Sequence, residues 1–152
     1  MILVMPPKIV AQNRRARFDY EITSTVEAGI VLTGQEVKSC RLGQVNLAGA
    51  YVSFLGGKPV LKQAKISQYK SAGNLKDYDP GHDRLLLLSK KECERINAMQ
   101  AEKGVTVVPL EVSADRFIKV LLGIAKGRKR IDKRERIKSR EMDRRMKQGR
   151  DL

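Results

Sequence analysis

Residues 105–125, VTVVPLEVSADRFIKVLLGIA, decide the fold of this chain. Every second residue of 118–124 is a large aliphatic one, and Lys119 falls on the opposite side of the alternation. Such a period of two is typical of a strand that buries one face. The β-branched run at 105–112 indicates a second strand, and residues 113–116 suit the turn between them. The segment therefore predicts an antiparallel hairpin that closes the folded part of the chain.

Four more strands are predicted before this hairpin, over residues 18–32, 50–55, 59–66 and 85–88. The longest contains Gly29, where we expect a bulge or bend. Gly56 and Gly57 separate the next two strands, a pattern typical of a tight hairpin turn. The chain is therefore expected to contain about six strands.

Two helix starts are visible between the strands. Thr33 with Glu36, and Ser89 with Glu92, fit the capping box, in which each side chain bonds the other residue's backbone amide. Glycines at 43 and 104 are suited to end these helices. We expect two or three short helices in all.

These elements show no alternation of strand and helix, so a parallel sheet is excluded. The fold class predicted is mainly β (α+β), an OB-like closed antiparallel barrel of about six strands, with a small sandwich as the alternative. Residues 1–12 are predicted to be a flexible arm because Pro6 and Pro7 disfavour regular pairing. The barrel is predicted over 13–125, and a separate tail over 126–152.

Positive charge is concentrated in the tail. The chain has 31 Lys and Arg against 17 Asp and Glu, a net charge of +14. Residues 126–152 alone contain 13 Lys and Arg and 5 Asp and Glu, a net charge of +8. Few large apolar side chains lie there to offset the ordering entropy, yet the composition favours helix. We expect a tail that is disordered alone and helical when bound; a solvated tail that only aids solubility is the alternative. A polyanion is the leading partner.

Several other classes of protein are disfavoured. No apolar run approaches the roughly 18–20 residues that span a bilayer, and residues 1–5 are too short for a signal-peptide core. The chain is therefore expected to be cytoplasmic, without a membrane partner. Cys40, Cys93 and His82 are too few for a four-ligand zinc site, and we expect reduced, buried thiols.

Support for an enzyme is also weak. The chain has no glycine-rich phosphate loop, and His82 is predicted to be a surface histidine. Asp77, Asp79 and Asp83 have a spacing that a magnesium-dependent nuclease could use, but turn formation is the simpler interpretation. We expect no catalytic residue, no metal, no cofactor and no small-molecule substrate.

Two blocks, NRRARFDY at 13–20 and EAGIVLTGQEVKS at 27–39, closely resemble the SsrA-binding protein (small protein B) family of bacteria. The resemblance continues through shorter matches to about residue 140, at 46–47, 50–52, 79–80, 85–88, 102–104, 123–129 and 132–134. It implies an OB-type barrel that binds transfer-messenger RNA and acts as a monomer without covalent chemistry. It also implies that the complex enters stalled ribosomes, with the protein in the decoding region, so that the unfinished polypeptide is tagged.

The resemblance also implies site residues. Asn13, Glu27 and Leu87 match RNA-binding positions of the family; Glu27 as a surface ion pair and Leu87 as a core residue are the alternatives. The expected phosphate contacts are Arg15, Arg17 and Lys38, with merely solvated side chains as the alternative. The residues expected to guide the chain into RNA are Lys126, Arg128 and Lys129. Asp132, Lys133 and Arg134 match the segment that the family uses at the decoding centre. Two other functions remain open: a general ribosome-associated or structural nucleic-acid-binding OB protein, and the nuclease.

Overall fold

Nine strands and three helices make up the computed structural model, which describes residues 8–70 and 77–127. The helices are α1 (Arg14–Asp19), α2 (Gly34–Arg41) and α3 (Lys90–Gln100). The strands are β1 (Lys8–Gln12), β2 (Tyr20–Ile30), β3 (Val45–Asn46), β4 (Tyr51–Leu55), β5 (Lys58–Lys62), β6 (Lys65–Ile66), β7 (Arg84–Leu87), β8 (Val105–Ala114) and β9 (Ile118–Gly127).

The predicted closing hairpin lies near the centre of the main sheet. Seven antiparallel strands pair in the order β1-β8-β9-β2-β7-β5-β4, and β3 pairs with β6 separately. Strand β9 is paired on both edges, with β8 on one side and with β2 from Tyr20–Gly127 to Gly29–Lys119 on the other. The hairpin and the mainly β class are therefore confirmed.

Each face of the hairpin packs differently. The inward side chains of β9, from Ile118 to Ile124, join an almost wholly aliphatic core. On the outer face, Ala16 of α1 packs against Val108, Leu110 and Ala125. A Cβ at Gly123 would lie 2.8 Å from Leu110 Cδ1, so glycine is what allows Leu110 to cross β9. Helix α1 thus covers part of the outer face and leaves the rest open.

The predicted closed barrel is wrong, because the sheet ends at β1 and β4 without a ladder between them. Strand β4 packs against β8, and a ladder between these two strands would close the barrel. Part of the β8 edge is already taken, because β1 pairs with residues 111–114 of β8. Further along that edge Pro109 has no N–H to donate, and Asn13 Nδ2 donates to its carbonyl at 2.9 Å. Gln100 of α3 donates to Val52 O of β4 at 2.9 Å, which covers a polar group that closure would have paired.

Both capping boxes are present as predicted. Thr33 and Ser89 each accept a bond from the backbone of Glu36 and Glu92, whose carboxylates bond back. Gly43 beyond α2 has a φ of +76°, the left-handed stop expected there. In the β4–β5 hairpin, Gly56 and Gly57 have φ of +59° and +81°, which suits a two-residue turn of type I′.

The boundaries differ from the prediction in several places. The strand predicted over 59–66 is two strands, β5 and β6, and α3 ends at Gln100, so Gly104 does not end it as predicted. Residues 8–12 form β1, so the predicted flexible arm over 1–12 is wrong there, and residues 1–7 lie outside the described residues. Helix α1 begins at Arg14, where no helix was predicted, and β2 starts only at Tyr20. The bulge of β2 lies between Ile22 and Ser24 instead of near Gly29. Strand β9 extends to Gly127, so Lys126 belongs to the sheet and not to the tail.

Candidate RNA interface

Two of the predicted RNA-binding residues, Glu27 and Leu87, share the outer face of the sheet. Gly29 pairs with Leu87 of β7 on one side and with Lys119 of β9 on the other. Residues opposite each other, and residues two apart on one strand, point to the same face. Leu87 is 60% exposed, whereas its neighbour Leu86 is 4% exposed, so the interpretation of Leu87 as a core residue is wrong.

Glu27 is an exposed acid in a basic protein. Its Oε1 lies 3.1 Å from Lys119 Nζ, and its side chain is 57% exposed. An ion pair in this setting contributes little to stability, about 0–1 kcal/mol, because water screens both charges. The carboxylate keeps most of its accepting capacity for an outside donor while it holds the lysine in place.

A groove of about 370 Å³ lies beside these residues, between α2 and the β8–β9 turn. Its lining is mostly apolar, with cations at the edge: Gly29, Ile30, Leu32, Val37, Arg41, Leu87, Arg116, Phe117, Ile118 and Lys119. Sequence reasoning missed Phe117, Arg41 and Arg116. The alternation that turns Ile118 inward also turns Phe117 outward, a signal that could have identified it.

Arg17 lies on the same face as Glu27. Its Nη2 donates to Glu111 Oε1 at 3.3 Å, and Glu111 of β8 is opposite Leu121 of β9. Leu121 is in turn opposite Glu27. A row across three strands therefore joins the cation of α1 to the acid of β2.

Asn13 has a structural place instead of an exposed one. It is 5% exposed, accepts the Ala16 N–H at the start of α1, and donates to the carbonyls of Leu47 and Pro109. All its side-chain polar atoms are thus engaged inside the protein. Any effect of Asn13 on RNA would pass through the position of α1.

The other predicted cations lie elsewhere. Arg15 is exposed, 3.0 Å from Asp19, and lines a separate cleft beside Tyr51. Lys38 Nζ lies 5.5 Å from the centre of the Tyr69 ring. Lys126 is exposed opposite Glu21, at the far end of the β2–β9 ladder from Gly29. Arg128, Lys129, Asp132, Lys133 and Arg134 lie outside the described residues.

Sequence reasoning also missed a buried ion pair. Arg84 Nη2 donates to Glu36 Oε2 at 2.7 Å, and both side chains are almost fully buried. Arg84 Nε also donates to Glu36 Oε2, at 2.9 Å, and the two Nη atoms donate to the carbonyls of Ala64, Pro80 and His82. The pair therefore ties α2 to β7 and to the loop before it, which positions the strand that carries Leu87.

The environment keeps Glu36 charged. Burial alone raises its pKa, but the Thr33 backbone N–H, the Arg84 guanidinium and His82 outweigh burial and lower the pKa to about 2. His82 Nε2 lies 3.0 Å from Glu36 Oε2, so the predicted lone surface histidine is in fact part of this cluster. Tyr78 OH donates to the same carboxylate at 3.1 Å.

The aspartates show the geometry of a turn. Asp79 Oδ1 accepts the Gly81 N–H at 3.0 Å, as the turn interpretation predicted, and Asp83 lies 3.5 Å from Lys62. Within residues 8–70 and 77–127, no group of three or more metal-ligating side chains comes together. Burial raises the pKa of the Cys40 thiol to about 11, so this thiol stays protonated and inert. Cys93 is also free but only half-buried.

An antiparallel β-sheet with an exposed apolar and cationic face, in a chain of net charge +14, is typical of an RNA-binding protein. No helix in the described part of the chain is long and apolar enough to cross a membrane. A family model described as SmpB protein matches residues 10–151. The chain belongs to the SmpB family.

Individual relatives agree with this assignment. The SsrA-binding protein of Lactobacillus acidophilus is 46% identical over 137 residues, 90% of each chain. The SsrA-binding protein of Chloroflexus aurantiacus is 44% identical over 149 residues, 95% of this chain and 93% of the relative. A solved chain described as "tmRNA-SmpB: a journey to the center of the bacterial ribosome" is 41% identical with a TM-score of 0.68, covering 88% of this chain and 95% of that one.

Proposed function

We propose that this protein binds transfer-messenger RNA through the outer face around Glu27 and Leu87 and delivers it to stalled ribosomes in the cytoplasm. There the tail occupies the decoding region, and translation resumes with peptide tagging and ribosome rescue. One observation carries the assignment of the site: Glu27, Leu87 and Lys119 share an open face beside a groove edged with cations. The relatives named SsrA-binding proteins and the tmRNA-SmpB structure support the identity of the RNA.

Affinity and selectivity come from different residues in this proposal. Lysines and arginines release counterions from the RNA backbone, so binding weakens steeply as salt rises. The apolar groove and the Glu27 carboxylate act on unstacked bases, which duplex DNA does not expose. The protein itself makes and breaks no bond; it is an adaptor.

The body and the tail can act at two places at once. The tail follows Gly127, which is opposite Tyr20, while the groove lies at Gly29. Nine residues of β2 separate these points, which is about 30 Å at the rise of an antiparallel strand. One end can therefore hold transfer-messenger RNA while the other enters the ribosome.

Competition binding tests the identity of the RNA. At about 150–200 mM salt, where non-specific attraction is weak, transfer-messenger RNA should outcompete bulk tRNA and duplex DNA. Equal competition by all three would instead support a general nucleic-acid-binding protein. Cleavage of labelled RNA in magnesium, abolished by Asp79→Ala, would support the nuclease.

Glu27→Ala tests the site. The loss of a specific polar contact should weaken binding of transfer-messenger RNA by about 1–3 kcal/mol. The matched control is Glu21→Ala, which removes an exposed acid from the same strand and should leave the affinity unchanged or slightly higher. Lys119→Met shows whether Glu27 contacts the RNA itself or only holds Lys119 in place. If Glu27 acts only by holding Lys119, adding Glu27→Ala to the Lys119→Met protein should not weaken RNA binding further. Equal affinities of the Glu27→Ala and Glu21→Ala proteins would refute the site.

A further inference from the structure

Phe117 has no role in the proposed site so far, yet its position is unusual. It stands at the end of the β8–β9 turn and is 67% exposed, the highest value among the large apolar side chains described. Leu87, 60% exposed, lines the same groove. Together with the other apolar lining residues they form one exposed apolar patch, and such a patch marks an interaction site.

The floor of the groove is open because of Gly29. A Cβ at this position would lie 3.2 Å from Leu87 Cβ, so a larger residue would displace Leu87, which lines the groove. The resulting space of about 370 Å³ is at the lower end of the range of small-ligand pockets, roughly 300–1,000 Å³. It suits a flat group better than a helix or a strand.

The edge of the groove is cationic. Arg41 Nη2 donates to the backbone carbonyl of Arg116 at 3.4 Å, which joins α2 to the turn, and Lys119 is held by Glu27. No carboxylate is among the described lining residues, and neither arginine forms an ion pair within residues 8–70 and 77–127. The ligand should therefore combine a flat apolar part with flanking negative charge.

We infer that this groove holds one unstacked nucleobase of the bound RNA, which stacks on Phe117 and packs against Leu87. The flanking phosphates then lie near Arg41 and Arg116. A nucleotide meets both requirements, since every base has a π-face and every linkage a charge. Paired bases in a helix expose no such face, so the base belongs to a loop or another unpaired segment. The inference rests on the proposed function and adds a specific ligand and a stacking residue to it.

The chain contains no tryptophan, which makes a direct test possible. Phe117→Trp places a single indole in the groove, and Phe54→Trp places one at a half-buried aromatic position outside it. Transfer-messenger RNA should quench the emission of the first protein, in proportion to occupancy, and shield it from acrylamide. The emission of the second should change little. Phe117→Trp should also keep the affinity of the wild type.

Phe117→Ala measures the contribution of stacking. Affinity for transfer-messenger RNA should fall about 5- to 150-fold, the range for loss of one base–aromatic stack. Affinity for a fully paired RNA duplex should stay the same. Since Phe117 is exposed, the variant should fold, which an unchanged thermal midpoint would verify.

Three results would overturn the inference. The first is that Phe117→Ala binds transfer-messenger RNA with wild-type affinity and that the RNA does not quench the emission of Phe117→Trp. If Glu27→Ala still weakens binding in that case, the proposed function stands but the groove has no part in it. The second is an equal loss of affinity for the paired duplex, which would mean that Phe117 contacts no unstacked base. The third is an indole already shielded before RNA is added, which would mean that another part of the protein fills the groove.

Discussion

Glu36 shows how much a single residue does in this fold. Its Oε1 accepts the Thr33 N–H at the start of α2, and its Oε2 accepts from Arg84 and Tyr78. A helix cap and a buried ion pair thus share one carboxylate. Removing one member of a buried pair leaves an uncompensated charge, which costs about 3–5 kcal/mol.

Glu36 should therefore make stability depend on acid. Its pKa is lowered from 4.5 to about 2, so its stabilising effect is complete above pH 4.5 and is lost as the pH falls towards 2. We expect Glu36→Gln to lower the free energy of unfolding by about 3–5 kcal/mol at pH 7 and by much less near pH 2. Urea unfolding of both proteins between these pH values measures the difference.

Glu102→Gln is the control for that experiment. Glu102 is exposed and forms no ion pair with the described residues, so its substitution should shift stability by no more than about 0.5 kcal/mol at any pH. Parallel pH profiles of the wild type and Glu36→Gln would contradict the role given to Glu36.

The sequence identified Glu36 as a cap but not as half of an ion pair. The cap depends on a residue three positions away, whereas Arg84 is 48 positions away and comes close only through the fold. The same limit applies at the RNA face. Glu27 and Leu87 could be named from the family resemblance, but their proximity to Arg41 and Phe117 follows from pairing across three strands.

Among the helices, α1 is the one that sequence patterns did not predict. Its six residues are too few for a clear helical period. It exists because Asn13 caps it and anchors it to Leu47 and Pro109, which are 34 and 96 positions away. The long strands and the two capping boxes, which depend on local patterns, were predicted correctly. Elements made by distant contacts were not.

Gly123→Ala tests the packing of α1 on the sheet. The new Cβ would lie 2.8 Å from Leu110 Cδ1 and 3.0 Å from its Cγ, so Leu110 or β9 must move. Overpacking of this kind costs about 1–3 kcal/mol in the free energy of unfolding. Chemical denaturation measures it.

Gly127→Ala is the control on the same strand, because nothing lies within 4 Å of a Cβ there. It should change stability by no more than about 0.5 kcal/mol. A Gly123→Ala protein as stable as Gly127→Ala would mean that α1 and Leu110 adjust without cost.

For the whole molecule, the sheet and the tail should be separable. In the described part of the chain, every strand and core residue lies at or before Gly127, the last residue of β9. We expect a chain that stops after Gly127 to keep its thermal unfolding transition and much of its affinity for transfer-messenger RNA, but to lose peptide tagging. Circular dichroism, competition binding and a tagging assay measure the three properties.

The matched control retains the full tail length but replaces Asp132, Lys133 and Arg134 by alanine. It should bind the RNA normally and tag poorly if those residues act in the decoding region. Normal tagging by the truncated chain would show that the tail has no part in the reaction.

The position of β9 between two neighbours has a mechanical consequence. A pull on the tail acts along β9, whose hydrogen bonds to β2 and β8 run across the direction of force. The bonds of both ladders are then loaded together and cannot open one after another. The point where the tail joins β9 therefore resists shear. The folded body can stay intact while a moving ribosome exerts force on the C-terminal tail.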